Sequence, residues 1–467
     1  MARRPPDPAV PVFFQLRSTD EYAPPPRTAP ELEAEAALRS ALPGRAARLA
    51  EGERRYAASR RGTAAGLRAL NAASGGPFYA VPAEAELDAA AADAALGGDE
   101  VVVDVQTHYV ANRALPIWNL PIRAMYEAVR PEWWRGMDAL EGYDLAEYLR
   151  CVFLESETAV AVLTSGPGLD DTRMLHNREL AGTRELFERL GAGGRMLNHV
   201  VVHPNVPGEL AAMEQWRDRD RPVGWKVYTI GHAEKGSFGP SHGWWLDDER
   251  VGVPFLERAR ELGVKLVCAH KGISAMVDSG SPRDVGPVAR AFPDLDFVIY
   301  HSGYEFPIGG EPPEGPCTPE TEGHGVNRLV ASLRDAGVKP GSNVCAELGT
   351  TWFCLIRKPL EAAHVLGKLL QAVGEDNVVW GSDSIWYGPT QPAIDAFRAF
   401  QIPAELRDRH GYPELTREIK AKILGRNAAR LYGIDLAAAR ERAQSDDLAW
   451  IRSAVEDWRA RGVPGSE

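Results

Sequence analysis

The stretch VVVDVQTHYV, residues 101–110, runs from β-branched residues into a polar ending at Gln106, Thr107 and His108. Such a run is predicted to be a buried strand. Side chains alternate along a strand, so Gln106 and His108 share one face while Thr107 takes the other. That is the geometry of two ligands converging on one point.

Working outward, seven further short runs follow, separated by helix-like text: AVAVLTSG, MLNHVVVHPN, VGWKVYTIG, KLVCAHKG, FVIYHSG, NVCAELG and NVVWGSDS. Strands alternating with helical stretches predict a parallel sheet with crossover helices. Eight such runs predict an α/β fold, a closed (β/α)8 TIM barrel. The polar residues gather at the carboxyl ends of the runs: Gln106 and His108, Lys226, His270, His301, Glu347 and Asp383. In barrels of this kind the catalytic groups occupy that face.

The remaining sequence reads as additions to the barrel. Residues 1–27 hold seven prolines and are predicted to form an extended arm. TAPELEAEAALRSALPG then starts a helix, with Thr28 as its cap and Pro30 in its first turn, and is expected to stop at Pro43 and Gly44. SRRGTAAGLRALNAASGG is read as a second helix. The organisation is therefore a proline-rich arm and helical extension over 1–100, a barrel over 101–435 and a C-terminal helical tail over 436–467.

Composition narrows the function. A chain of 467 residues suits a large barrel with extensions. A net charge of −12 opposes nucleic-acid or anionic-membrane partners, which reward basic surfaces. No apolar run approaches the ~20 residues of a membrane span, and MARRPPDPAV does not fit a secretory signal. Five cysteines without CxxC spacing indicate neither a structural zinc site nor a disulfide framework, which suits a cytoplasmic protein. Phosphate-loop, GxGxxG and GxSxG motifs are missing. The expected partner is a small-molecule substrate, and a homodimer is compatible with this reading.

A single histidine at a strand end is ordinarily a structural residue. Here His108, His270 and His301 end runs one, five and six, and Asp383 ends run eight, so barrel closure brings all four to one mouth. Imidazoles with a carboxylate describe a catalytic site for one divalent metal ion, zinc being the commonest occupant and manganese or iron the alternatives.

The order QTH, CAHKG, IYHSG and GSDS, closed by AKILGRNAARLYGID, resembles the amidohydrolase superfamily over roughly residues 101–435. The nearer resemblance is to its amidohydrolase-related branch of metal-dependent hydrolases and decarboxylases. The resemblance implies that His108 and His270 are metal ligands, that Asp383 is a ligand or a proton shuttle on metal-bound water, and that His301 is an acid/base or substrate-polarising group. The sequence departs from the family at Gln106, where histidine is commonest and some decarboxylases have glutamate. An amide oxygen is neutral and a weaker ligand. A lysine at the position of Lys226 is carbamylated and bridges two metals in some members, and acts electrostatically or structurally in others. Glu347 is expected to orient a ligand, bind substrate or pair with an arginine, and Arg113, just beyond run one, to bind a substrate carboxylate or to be a surface residue.

Two long loops, GHAEKGSFGPSHGWWLDDE with His232 and His242, and YEFPIGGEPPEGPCTPETEGHG, are expected to shape the mouth. With Trp386, Trp352, Trp118, Trp133 and Trp134 they suggest a cyclic or aromatic substrate. The leading expectation is a metal-dependent hydrolase in which Asp383 takes a proton from metal-bound water that attacks an amide, lactam or ester carbonyl. The alternatives are non-oxidative decarboxylation at the same site and a non-catalytic binding barrel, the latter supported by the missing first histidine.

Overall fold

The computed structural model describes residues 10–15, 27–114, 142–169, 172–232, 242–272, 277–305 and 312–461. Trp118, Trp133 and Trp134 lie outside them, as do residues 233–241 and 306–311 of the two long loops. The strands are β1 (Val102–Thr107), β2 (Thr158–Leu163), β3 (Met196–Asn198), β4 (Val200–Val201), β5 (Trp225–Tyr228), β6 (Leu266–His270), β7 (Asp296–Tyr300), β8 (Val344–Glu347) and β9 (Val378–Val379).

Each predicted run supplies one stave of a parallel barrel. β1, β2 and β3 pair in that order, and β4 to β9 pair in theirs. β3 and β4 are two halves of the third stave, parted at His199, whose amide still donates to Leu163 O at 3.0 Å. The ring closes between the last stave and the first. Val105 N–H donates to Trp380 O at 3.1 Å, Asp383 N–H donates to Gln106 O at 3.0 Å, and Thr107 bridges Ser384 in parallel.

Strand periodicity divides the core in two. Val103, Val105, Val160, Cys268, Tyr300 and Val379 belong to one apolar cluster, which continues into Ala428 of a C-terminal helix. Their sequence neighbours Val102, Ala161, Val267, Ala269, Ile299 and Val378 belong to the other, shared with the surrounding helices. The first set therefore faces into the barrel and the second packs outward, which is why the runs are apolar on both faces, and a register shift in β1 between Asp104 and Thr107 brings Gln106 and His108 to the inner side.

The helical extension lies on the outside of the barrel. The helix Ala29–Arg48 begins with a capping box: Glu31 N–H donates to the Thr28 hydroxyl, and Thr28 N–H donates to Glu31 at 2.9 Å. It does not stop at Pro43 but runs through it to Arg48. Pro43 and Gly44 are exposed while Leu38, Leu42 and Ala46 are buried, so packing of the apolar stripe outweighs the missing bond. The second helix, Arg60–Ser74, is capped by Ser59 and ends at Gly75 with φ +66°. It packs on the barrel helices Pro359–Ala372 and Gln391–Ala399. Arg357 fastens the amino-terminal segment, pairing with Glu31 at 2.9 Å and donating to Phe13 O.

All five cysteines are free thiols. Among the described residues no helix is long and apolar enough to cross a membrane.

Candidate active site

Gln106 and His108 end β1, His270 ends β6, His301 follows β7, Glu347 ends β8, and Asp383 lies four residues beyond β9. All six are at most 5% exposed. Gln106 Nε2 donates to Asp383 Oδ1 at 2.8 Å and lies 3.4 Å from His301 Nε2. His108 Nε2 stands 3.0 Å from the same Oδ1. The His270 and His301 rings meet edge to face with centroids 4.7 Å apart, and Tyr228 stacks on His270 at 5.2 Å. The structure thus brings together all five groups named as metal ligands or acid/base at the sequence level.

Backbone carbonyls fix the tautomers. His108 Nδ1 faces Thr164 O at 3.1 Å, and His301 Nδ1 faces Gly349 O at 2.8 Å. A carbonyl only accepts, so Nδ1 carries the proton in both rings and Nε2 points into the cluster. His108 Nε2 then meets a carboxylate oxygen with a lone pair, and a cation must stand between them, either a proton or a metal ion. Asp383 is held below the usual carboxylate range: burial alone raises it, but the hydrogen bond and charge of His108, the charge of His301 and the Thr350 hydroxyl together outweigh that.

These groups hydrogen-bond one another rather than surround an open point. Among the described residues no set of three His, Cys, Asp or Glu side chains is spaced to hold a metal ion. The chemistry of the donor set nevertheless fits a divalent ion: imidazole Nε2 atoms, a carboxylate, and the buried Gln106 Oε1, which has no hydrogen-bond partner.

The backbone around the cluster is strained. His301, Ser302, Thr350 and Asp383 have φ of 62°, 53°, 57° and 54°. Thr350 combines φ 57° with ψ −48°, and Thr351 N–H donates back to Gly349 O at 2.5 Å, so a γ-turn of the strained, positive-φ kind follows β8. It aims the Thr350 hydroxyl at Asp383 Oδ2, and the Tyr387 hydroxyl donates to Thr350 at 2.7 Å.

Glu347 lies beneath these groups. Its Oε2 accepts from His301 N–H at 3.0 Å and its Oε1 from Gly349 N–H. Burial raises its pKa to about 8, Asp383 adds to the rise, and the two amides and Lys226 oppose it. A Cβ at Gly381 would stand 1.7 Å from Glu347 Oε1, and one at Gly349 would stand 2.3 Å from Gln106 Oε1. Both positions therefore require glycine.

The other predicted contacts lie elsewhere. Lys226 pairs in register with Cys268 while Tyr228 pairs with His270, which places the lysine one layer below the cluster. Its Nζ lies 3.4 Å over the Tyr300 ring and 4.7 Å over Tyr228. Arg113 is ion-paired with Glu179 and donates to Arg173 O at 3.1 Å, so the carboxylate it binds is one of the protein's own. Trp386 is at the mouth, its ring 6.1 Å from His108 and 5.3 Å from Tyr143. His232 contacts the rings of His203 and His242 at 5.5 and 5.3 Å. Thr350 and Tyr387 were not foreseen, because a hydroxyl in ELGTT or IWYG carries no periodic signal.

The family model described as amidohydrolase matches residues 103–434, the barrel and its closing helices. This chain belongs to the amidohydrolase family. No curated protein matches it. Among solved structures, the 5-carboxyvanillate decarboxylase of Novosphingobium aromaticivorans, complexed with manganese and 4-hydroxy-3-methoxy-5-nitrobenzoic acid, is 16% identical with a TM-score of 0.47, covering 72% of this chain and 96% of its own. The 2,6-dihydroxybenzoate decarboxylase from Rhizobium is 12% identical with a TM-score of 0.43, covering 72% and 99%. A proposed 2-pyrone-4,6-dicarboxylic acid hydrolase from Pseudomonas putida is 17% identical with a TM-score of 0.38, covering 72% and 98%. These likenesses are of fold.

Proposed function

We propose that this member of the amidohydrolase family is a metal-dependent lyase that removes a carboxylate, as CO2, from a small aromatic or unsaturated acid. The observation that carries this reading is the state of Asp383. Gln106 and His108 occupy its Oδ1 and Thr350 its Oδ2. Hydrogen bonds to both oxygens make Asp383 a weak base towards a bound water, the role hydrolysis would give it, whereas decarboxylation asks it only to serve as a metal ligand.

His108, His270, Asp383 and Gln106 Oε1 would hold a divalent ion, manganese, zinc or iron, whose charge would neutralise the oxygens of an acidic substrate. His301 is the proton carrier. Its Nδ1–H is fixed on Gly349 O, so Nε2 is the atom that takes up a proton from solvent and delivers it to the carbon bearing the carboxylate. The carbon–carboxylate bond then breaks, its electron pair stays with the substrate carbon framework, and CO2 leaves with no change of oxidation state requiring a co-reactant. Trp386, Tyr143, Tyr387 and Phe353 supply an aromatic wall, the last two stacked at 3.9 Å.

The test is incubation of metal-loaded protein with hydroxylated aromatic acids and, separately, with cyclic amides and lactones. Release of CO2 from an acid, without ring-opened product from the second group, supports the lyase. Ring opening without CO2 would establish hydrolysis, and inertness towards both panels would favour a binding barrel.

A further inference from the structure

A cleft of about 480 Å³ lies at the seam between the helical extension and the barrel, far from the histidines. Ala91 and Ala95 of the extension line it together with Ile402 and Leu415. Arg398 lines its floor, pairing with Glu100 at 2.6 Å and Glu157 at 2.7 Å. Those glutamates immediately precede β1 and β2, so the floor rests on the amino-terminal ends of the strands, opposite the catalytic mouth.

The charges of this cleft are only partly matched. Arg398 is compensated as described, and Arg407 pairs with Glu414 at 2.9 Å. Arg417 and Lys420, three residues apart and so on one face of their helix, have no carboxylate partner among the described residues. Lys420 Nζ donates one hydrogen bond, to Arg398 O at 2.6 Å, and keeps two donors. Glu84, which also lines the cleft, forms no ion pair with either cation among the described residues.

We infer that this cleft is a binding site for a small organic anion whose single carboxylate or phosphate group sits between Arg417 and Lys420 and whose apolar body lies along the alanine wall. Its volume is that of a small-molecule pocket. Two adjacent cations with free donors call for an oxyanion, and Ala91, Ala95, Ile402 and Leu415 call for carbon beside it. The lysine reports the missing charge. Burial and the neighbouring Arg417 push its pKa down to about 8, with only Glu100 acting against them. The site exists only because the extension is docked, which gives residues 80–95 a role in recognition as well as in packing.

Lys420 provides a readout that ignores the catalytic mouth. Near pH 8 its amine reacts with an acylating reagent, and the modified peptide is quantified by mass spectrometry against the exposed Lys339. Benzoate and inorganic phosphate are the two probes. Protection of Lys420 by about fivefold, reached when ligand is about four times its Kd, with Lys339 unchanged, is the expected result. Protection by benzoate alone assigns the site to carboxylates with an apolar body, and protection by phosphate assigns it to phosphorylated ligands. Arg417→Gln, an exposed substitution that leaves the fold intact, should abolish protection. Unprotected labelling with both probes, or full protection retained in Arg417→Gln, would overturn the proposal.

Discussion

His301 and Glu347 are coupled twice, through the His301 amide that donates to Glu347 Oε2 and through Gly349, whose amide binds Glu347 Oε1 and whose carbonyl receives His301 Nδ1–H. One buried carboxyl group thereby sets both the backbone and the ring of the proposed proton carrier. Glu347→Gln should impair it, because an amide presents one acceptor and one NH2 where two N–H groups point. Leaving one buried backbone N–H unpaired costs about 1–3 kcal/mol, and turnover should fall by about tenfold or more. Urea unfolding and steady-state rates check the two effects. Unchanged turnover would remove Glu347 from the positioning of His301.

Replacing each of the paired histidines by asparagine should separate metal binding from proton transfer. His270→Asn should lower metal occupancy, measured by elemental analysis, because an amide is a poorer ligand. His301→Asn should keep most of the metal and lose about 100-fold in turnover, the scale of a general acid/base. Gln106→His should tighten metal binding. An empty site in His301→Asn with a full one in His270→Asn would reverse the roles.

Gly381→Ala and Gly349→Ala test how tightly the cluster is seated. A methyl group at Gly381 would overlap Glu347 Oε1, and one at Gly349 would overlap Gln106 Oε1. Either substitution should cost about 1–3 kcal/mol by overpacking and should disturb activity as well. Thermal unfolding with wild-type midpoints for both variants would show that the site tolerates more space than its contacts indicate.

Acid should unfold the protein through buried neutral histidines. His199, in the barrel among Cys268, Tyr300 and Tyr432, is depressed to about 3 by burial and by Lys226, and His364 to about 4 by burial, His410 and Lys368. A base with a lowered folded pKa binds its proton mainly in the unfolded chain. Its stabilisation is complete above the unfolded value near 6.5 and drains away as pH falls towards the folded one. His199 alone should account for about 2 kcal/mol lost by about pH 5. Urea unfolding as a function of pH should show this slope, and His199→Gln should flatten it; an equal slope in the variant would refute the assignment.

The fold was readable because two simple periodicities suffice for it. The alternation of β-branched runs with helical text located every stave, and strand parity together with closure placed Gln106, His108, His270, His301 and Asp383 at one mouth. What escaped the sequence depends on contacts between distant segments. Pro43 continues a helix because Leu42 and Ala46 are held by packing. Arg113 is claimed by Glu179, a neighbour only in three dimensions. Lys226 occupies the layer below the histidines, and only its register against Cys268 reveals this. The extension's cleft takes its walls from segments more than 300 residues apart.

The γ-turn at Thr350 sets backbone strain against hydrogen bonding. A β-branched residue at φ 57° and ψ −48° stores on the order of 1–3 kcal/mol of strain, which glycine would release. Thr350→Gly would release that strain but leave the buried Asp383 Oδ2 and Tyr387 hydroxyl without their partner, a loss of at least similar size, so the variant should gain no heat resistance and should lose turnover. Selection for thermostability alone would therefore be indifferent to the glycine, and selection for turnover would keep the threonine.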